Sequence, residues 1–96
     1  MRFEWDDNKN TANRRKHGIT FEEAIQVFED PLHLSLLDKR FNYFEERWIT
    51  IGQTLDNKII VVANIYFDNS GEEIIRILSA RRATVNERKQ YEKWWF

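Results

Sequence analysis

The chain has no cysteine, so it holds neither a disulfide framework nor a thiolate metal site. That absence fits a reducing compartment, and a cytoplasmic protein is expected. Long hydrophobic runs are also missing. The longest, Ile59 to Ala63, falls far short of the ~20 apolar residues of a membrane helix. The opening MRFEWDDNK is charged and carries no apolar stretch of the signal-peptide kind. Histidine is scarce. His17 and His33 have no second His, Cys or Asp at ligand spacing, and no metal or other cofactor is expected. Repeats, linkers and low-complexity segments are lacking, and 96 residues leave no room for a second core. Residues 1–96 are therefore expected to form one domain.

Net charge is small as well, −1, which looks unsuited to a nucleic-acid partner. Its distribution is not even. Residues 8–17 hold Lys9, Arg14, Arg15 and Lys16 and no acid. Residues 76–93 set Arg76, Arg81, Arg82, Arg88, Lys89 and Lys93 against Glu87 and Glu92. Residues 20–30 are acidic, with Glu22, Glu23, Glu29 and Asp30. This pattern suits a basic site with an acidic back, or a solvated surface on which the charges segregate by chance. A hydrophobic content of 42%, with 15% aromatic, is enough for a folded core.

Along the chain, Arg2 to Trp5 reads as a short strand. Asp6 or Asp7 caps a helix that runs to His17 and stops at Gly18. This helix has almost no apolar face. Lys9, Asn13, Lys16 and His17 share one side of it. Thr20 to Glu23 is a capping box for a second helix, whose face of Phe21, Ala24, Ile25 and Phe28 is built for a core. Pro31 ends that helix. Strands follow over 32–37, 47–53 and 58–67, with a charged, aromatic turn region over 39–44. Asp56-Asn57 and the run 68–71 are turns. The spacing gives β-α-α-β-β-β-β-α: an α+β fold with an antiparallel meander, two N-terminal helices and one C-terminal helix.

The stretch from Glu72 to Tyr91 is the most pointed. Ile74, Ile75, Ile77 and Leu78 mark a buried strand interrupted by Arg76. Ser79, Arg81 and Arg82 sit at its end. Thr84 and Glu87 form a capping box for the helix that carries Arg88 and Tyr91. Forked donors beside the orphan amides of a helix start suit a phosphate. Strict alternation puts Arg76 and Arg81 on opposite faces, unless a bulge near Ser79 intervenes. Arg47 shares its strand face with Ile49 and Ile51, so Arg47 and Arg76 could clamp an anion from one sheet face. The plainer alternative pairs Arg76 with Glu45 or Glu46.

Several motifs in this order resemble the BrnT family of ribonuclease toxins. They are F-E-W-D at 3–6, K-x-x-x-N-x-x-K-H-G at 9–18, F-x-x-A at 21–24 and F-x-D at 28–30. E-x-R at 45–47, R-I-L-S-A-R-R-A at 76–83 and E-R-x-x-Y at 87–91 complete the set. The resemblance implies a RelE-like fold and messenger-RNA cleavage that inhibits translation. It also implies neutralisation by a cognate ribbon–helix–helix antitoxin, with operator DNA bound only through that antitoxin. No membrane partner is expected, and a homodimer within the toxin–antitoxin complex is allowed. The tail Trp94-Trp95-Phe96 has no counterpart in the pattern.

RNA cleavage without a metal uses the 2′-hydroxyl as nucleophile and ends at a 2′,3′-cyclic phosphate. It needs a base, an acid and positive charge on the phosphorane. The candidate catalytic residues are His17, Lys16, Arg47, Arg76, Arg81 and Tyr91. Those for RNA binding are Lys9, Asn13, Ser79, Arg82 and Arg88. Several have a plainer alternative. His17 can serve the last carbonyls of its helix, Tyr91 can be core, and Arg81 or Arg82 can be solvated. A binding-only module and an antitoxin partner without chemistry are the rival functions.

Overall fold

The computed structural model describes residues 1–39 and 46–93. The expected turn region falls mostly on residues 40–44, and it and the aromatic tail lie outside that description. The elements run β1 (Arg2–Glu4), α1 (Asp7–His17), α2 (Phe21–Glu29), β2 (Leu34–Leu37), β3 (Arg47–Gln53), β4 (Ile59–Asn69), β5 (Glu72–Arg82) and α3 (Val85–Lys93). This is the α+β order that the sequence gives reason to expect.

Local chemistry sets the helix bounds. The Asp6 carboxylate accepts hydrogen bonds from the amides of Asn8 and Lys9 at 2.8 and 3.2 Å, satisfying two orphan donors of α1. Gly18 ends α1 in the left-handed region, with its N–H on the Arg14 carbonyl. Thr20 caps α2 through the Glu23 amide, 3.1 Å away. Four basic residues crowd the last turn of α1, the end that favours cations.

The five strands form one sheet in the order β1-β5-β4-β3-β2. Strands β2 to β5 are the expected antiparallel meander. Strand β1 amends it: Arg2, Phe3 and Glu4 pair in parallel with Ile74, Ile75 and Arg76. The sheet is therefore mixed. Three residues are too few for a sequence pattern to reveal a strand's direction. The hairpin between β4 and β5 turns through Ser70 and Gly71, both at positive φ (55° and 86°), the geometry of a two-residue primed turn. Asp68 and Asn69, expected in the turn, are the last residues of β4.

One irregularity decides which side chains face which way. Ala63 pairs with Ser79 and the next residue, Asn64, pairs with Ile77, leaving Leu78 as the extra residue of a bulge. Ile77 and Ala80 consequently lie on the same face. There they join Ile60, Val62, Phe21, Ala24 and Val27 in the main core beneath α2. Arg76, Ser79 and Arg81 fall on the opposite face, across from Ile65, Ala63 and Val61. A smaller core of Ile51, Val61 and Tyr91 seats α3 on that side.

Helix α1 has no apolar stripe and is held by a polar side chain instead. Asn13 is buried. Its amide nitrogen donates to the carbonyls of Ile19 and Ala80, both at 2.8 Å, and its oxygen accepts from the Ala80 amide at 3.0 Å. The side chain thus stands in for a neighbouring strand at the part of β5 that β1 does not reach. Asn13→Ala leaves those backbone groups without a partner, each unsatisfied group costing ~1–3 kcal/mol. A loss of about 2–3 kcal/mol is expected in denaturant unfolding, and a change under 0.5 kcal/mol would refute this account.

Candidate functional site

A row of paired residues crosses the sheet on the α3 face: Glu4 on β1, Arg76 on β5, Ile65 on β4 and Arg47 on β3. Adjacent strands lie ~4.8 Å apart, so the two arginine backbones stand ~10 Å apart with Ile65 between them. Beside this row lies a hollow of about 370 Å³. Trp5, Asp6, Lys9, Arg47, Ile65, Arg76 and Leu78 are among the residues that line it. Its lining includes Trp5 and Asp6, where the chain passes from β1 into α1. Trp5 is half-buried and meets Phe21 edge-on, with centroids 6.1 Å apart and planes at 78°.

The two arginines of the β5 strand are held very differently. Arg76 is half exposed and touches Glu4 once, Nη2 to Oε2 at 3.4 Å. The carboxylate it meets is that of Glu4. Of the expected partners, Glu45 lies outside the described residues. Arg81 instead grips Glu87 with both fork nitrogens, at 2.7 and 2.9 Å. Glu87 also accepts from the Thr84 amide at 2.8 Å, and Thr84 Oγ1 accepts from the Glu87 amide at 3.2 Å. The helix start that the sequence marked for a phosphate therefore already holds a carboxylate.

The remaining sequence candidates divide by position. Ser79 is exposed on the Arg76 face, one row along from the hollow. Arg82 pairs with Ile60 and so faces the other side. Arg88 lies near Glu92 at 3.9 Å, one turn along α3. Lys16 is exposed and His17 half-buried at the end of α1, ~10–12 Å along the helix axis from Lys9. Asn13 is committed to Ala80 and Ile19, so its amide holds the fold and does not face a ligand.

Tyr91 is core. It is 1% exposed and its hydroxyl donates to the Asp30 carboxylate. Asp30 also accepts from the amides of Gln53 and Leu32 at 2.8 and 2.9 Å. Burial pushes the Asp30 carboxyl up. The bonds from Tyr91, Gln53 and Leu32 outweigh it and hold the group below the usual carboxylate range. Tyr91 thus ties α3 to the end of α2 and does not reach the hollow.

The structure brings together Lys9, Arg47 and Arg76, from three elements distant in sequence. It adds Trp5 and Glu4, which sequence reasoning passed over. Both belong to F-E-W-D, in the stretch where Phe3 and Trp5 alternate with polar neighbours and which reads as a short strand. Only the parallel pairing of β1 with β5 brings Glu4 to Arg76.

Arg81, helped by the Thr84 amide, draws the Glu87 carboxyl down to about 2 from its ordinary 4.5, against the opposing effect of burial. A depressed carboxylate stabilises the fold above its unfolded value and loses that contribution as pH falls through its folded value. The window is therefore pH 4.5 down to about 2. Glu87→Gln is expected to flatten the acid limb of the stability curve there, read by thermal unfolding across pH. An unchanged limb would count against the pair.

Comparison with known proteins agrees with the motifs. The family profile described as "ribonuclease toxin, BrnT, of type II toxin-antitoxin system" matches residues 5–87. The crystal structure of the Brucella abortus ribonuclease toxin BrnT is similar, with a TM-score of 0.61 and 28% identity. The match covers 88% of this chain and 97% of that one. No curated protein matches significantly.

Proposed function

The chain belongs to the BrnT family of ribonuclease toxins of type II toxin–antitoxin systems, and from that premise we propose that it cuts messenger RNA at the hollow without a metal ion. The observation that carries the reading is the convergence of Lys9, Arg47 and Arg76 on one cavity beside a carboxylate. Arg47 and Arg76 offer planar forks to the non-bridging oxygens of a phosphodiester. Their charge opposes the growth of negative charge on the phosphorane.

In this reading the 2′-oxygen forms a bond to phosphorus as the bond to the 5′-oxygen breaks, leaving a 2′,3′-cyclic phosphate. The Glu4 carboxylate takes the 2′-hydroxyl proton, and the Lys9 ammonium gives one to the departing 5′-oxygen. Support for Lys9 is its place in the lining of the hollow, and for Glu4 its contact with Arg76, which lines it. His17 and Lys16, two turns down α1, then contact a flanking phosphate, with Ser79 on the sheet side.

A toxin of this class has an antitoxin partner. We take that partner to be a ribbon–helix–helix protein through which the complex reaches operator DNA, and the site of action to be the cytoplasm. No helix among the described residues is long and apolar enough to cross a membrane.

Two measurements test the proposal. RNA cleavage is expected to persist in excess chelator; loss there, restored only by Mg²⁺, would end the metal-free reading. Arg76→Ala is expected to lower kcat about 10²–10³-fold with an unchanged unfolding midpoint, and to relieve growth arrest on induction. RNA retained but never cut by the unmutated chain would leave a binding module.

A further inference from the structure

We propose that the hollow receives a whole nucleotide, its phosphate on the three cations and its base stacked on the indole of Trp5. This rests on the reading of the hollow as the RNA site and adds to it a residue that touches the base. A clamp for backbone phosphate alone needs only charge. This cavity has a second character. Trp5, Ile65 and Leu78 give it an apolar wall directly beside Lys9, Arg47 and Arg76.

Its size points the same way. About 370 Å³ is much more room than one phosphate group fills. It falls at the lower end of small-molecule sites, roughly 300–1,000 Å³. A planar ring opposite a phosphate is the ligand that uses both halves.

The wall is also preformed. The edge-on contact with Phe21 fixes the plane of Trp5, and Phe21 is fully buried in the main core. A rigid aromatic loses little side-chain freedom on binding, and base–aromatic stacking tolerates any base because each has a π-face. The bulge places Leu78 at the same wall. Trp5, just after β1, Lys9 of α1 and Arg76 and Leu78 of β5 therefore meet around one space lined by both cations and apolar groups.

The test uses oligonucleotides that cannot be cut: a 2′-O-methyl RNA trinucleotide and its abasic counterpart of equal charge. The chain has four tryptophans, so Trp5 is isolated in the variant carrying W48F, W94F and W95F. Binding of the base-bearing probe is expected to quench Trp5 fluorescence. It is also expected to be at least about tenfold tighter than binding of the abasic probe. Trp5→Leu, which keeps an apolar group against Phe21, is expected to erase that difference and leave the abasic affinity unchanged.

Arg76→Ala is expected to weaken both probes, locating them at the hollow. Equal affinities with no quenching would overturn the stacking proposal and leave the phosphate site standing. Failure of both probes to bind, or indifference of both to Arg76→Ala, would overturn the site and the stacking together.

Discussion

A single inserted residue organises this molecule. Leu78 has no partner on β4, and that skip reverses the alternation of β5. Arg76 and Arg81 are five positions apart, an odd separation that a regular strand would send to opposite faces. With the bulge they share one. The same skip lets Ile77 and Ala80 both bury against the helices. Without it, either Ala80 would leave the core or Arg76 would enter it. The basic face and the main core thus depend on one backbone irregularity.

The polar first helix follows a related logic. Its residues give it almost nothing to bury, and helices normally gain most of their stability from an apolar face. Here one buried amide supplies the anchor by completing the backbone bonding of Ala80. That arrangement frees the rest of the helix surface for charge. It also fixes α1 against β5, so the helix that carries Lys9 to the hollow is positioned by the strand that supplies Arg76. A net charge of −1 says little about such a site, because the field at the hollow comes from a few cations placed there by the fold.

Much of this was legible beforehand, and the rest has identifiable reasons for being hidden. Caps at Asp6, Thr20 and Thr84 and the stop at Gly18 are local, so a short window reveals them. Strand β3 is evident from the alternation of Arg47, Ile49 and Ile51. The direction of β1 was hidden because parallel pairing is a long-range fact and three residues carry no direction. That one unknown concealed Glu4 and the place of Trp5. Tyr91 could be read as an acid or as core, and the single aromatic of α3 is the group that the core claims. Asn13 shared a face with Lys9 and His17 and read as part of a binding stripe. The side facing the sheet is the one that a buried hydrogen bond uses.

The contrast between Arg76 and Arg81 is the reason the proposed site takes in one and not the other. Arg81 meets Glu87 fork to fork, and the same carboxylate serves the Thr84 amide and the start of α3. Removing Arg81 for a ligand would undo a helix cap as well as an ion pair. Arg76 has one long contact to Glu4 at a half-exposed position, an arrangement typically contributing ~0–1 kcal/mol. In the proposed reading, a phosphodiester offering two oxygens to the guanidinium would replace that contact at small cost. In that reading the exchange would also free the Glu4 carboxylate from Arg76 beside the bound group. A weak ion pair at the mouth of a hollow is therefore suited to chemistry in a way that a strong one is not: it keeps the cation in place until the substrate arrives, and then yields both partners.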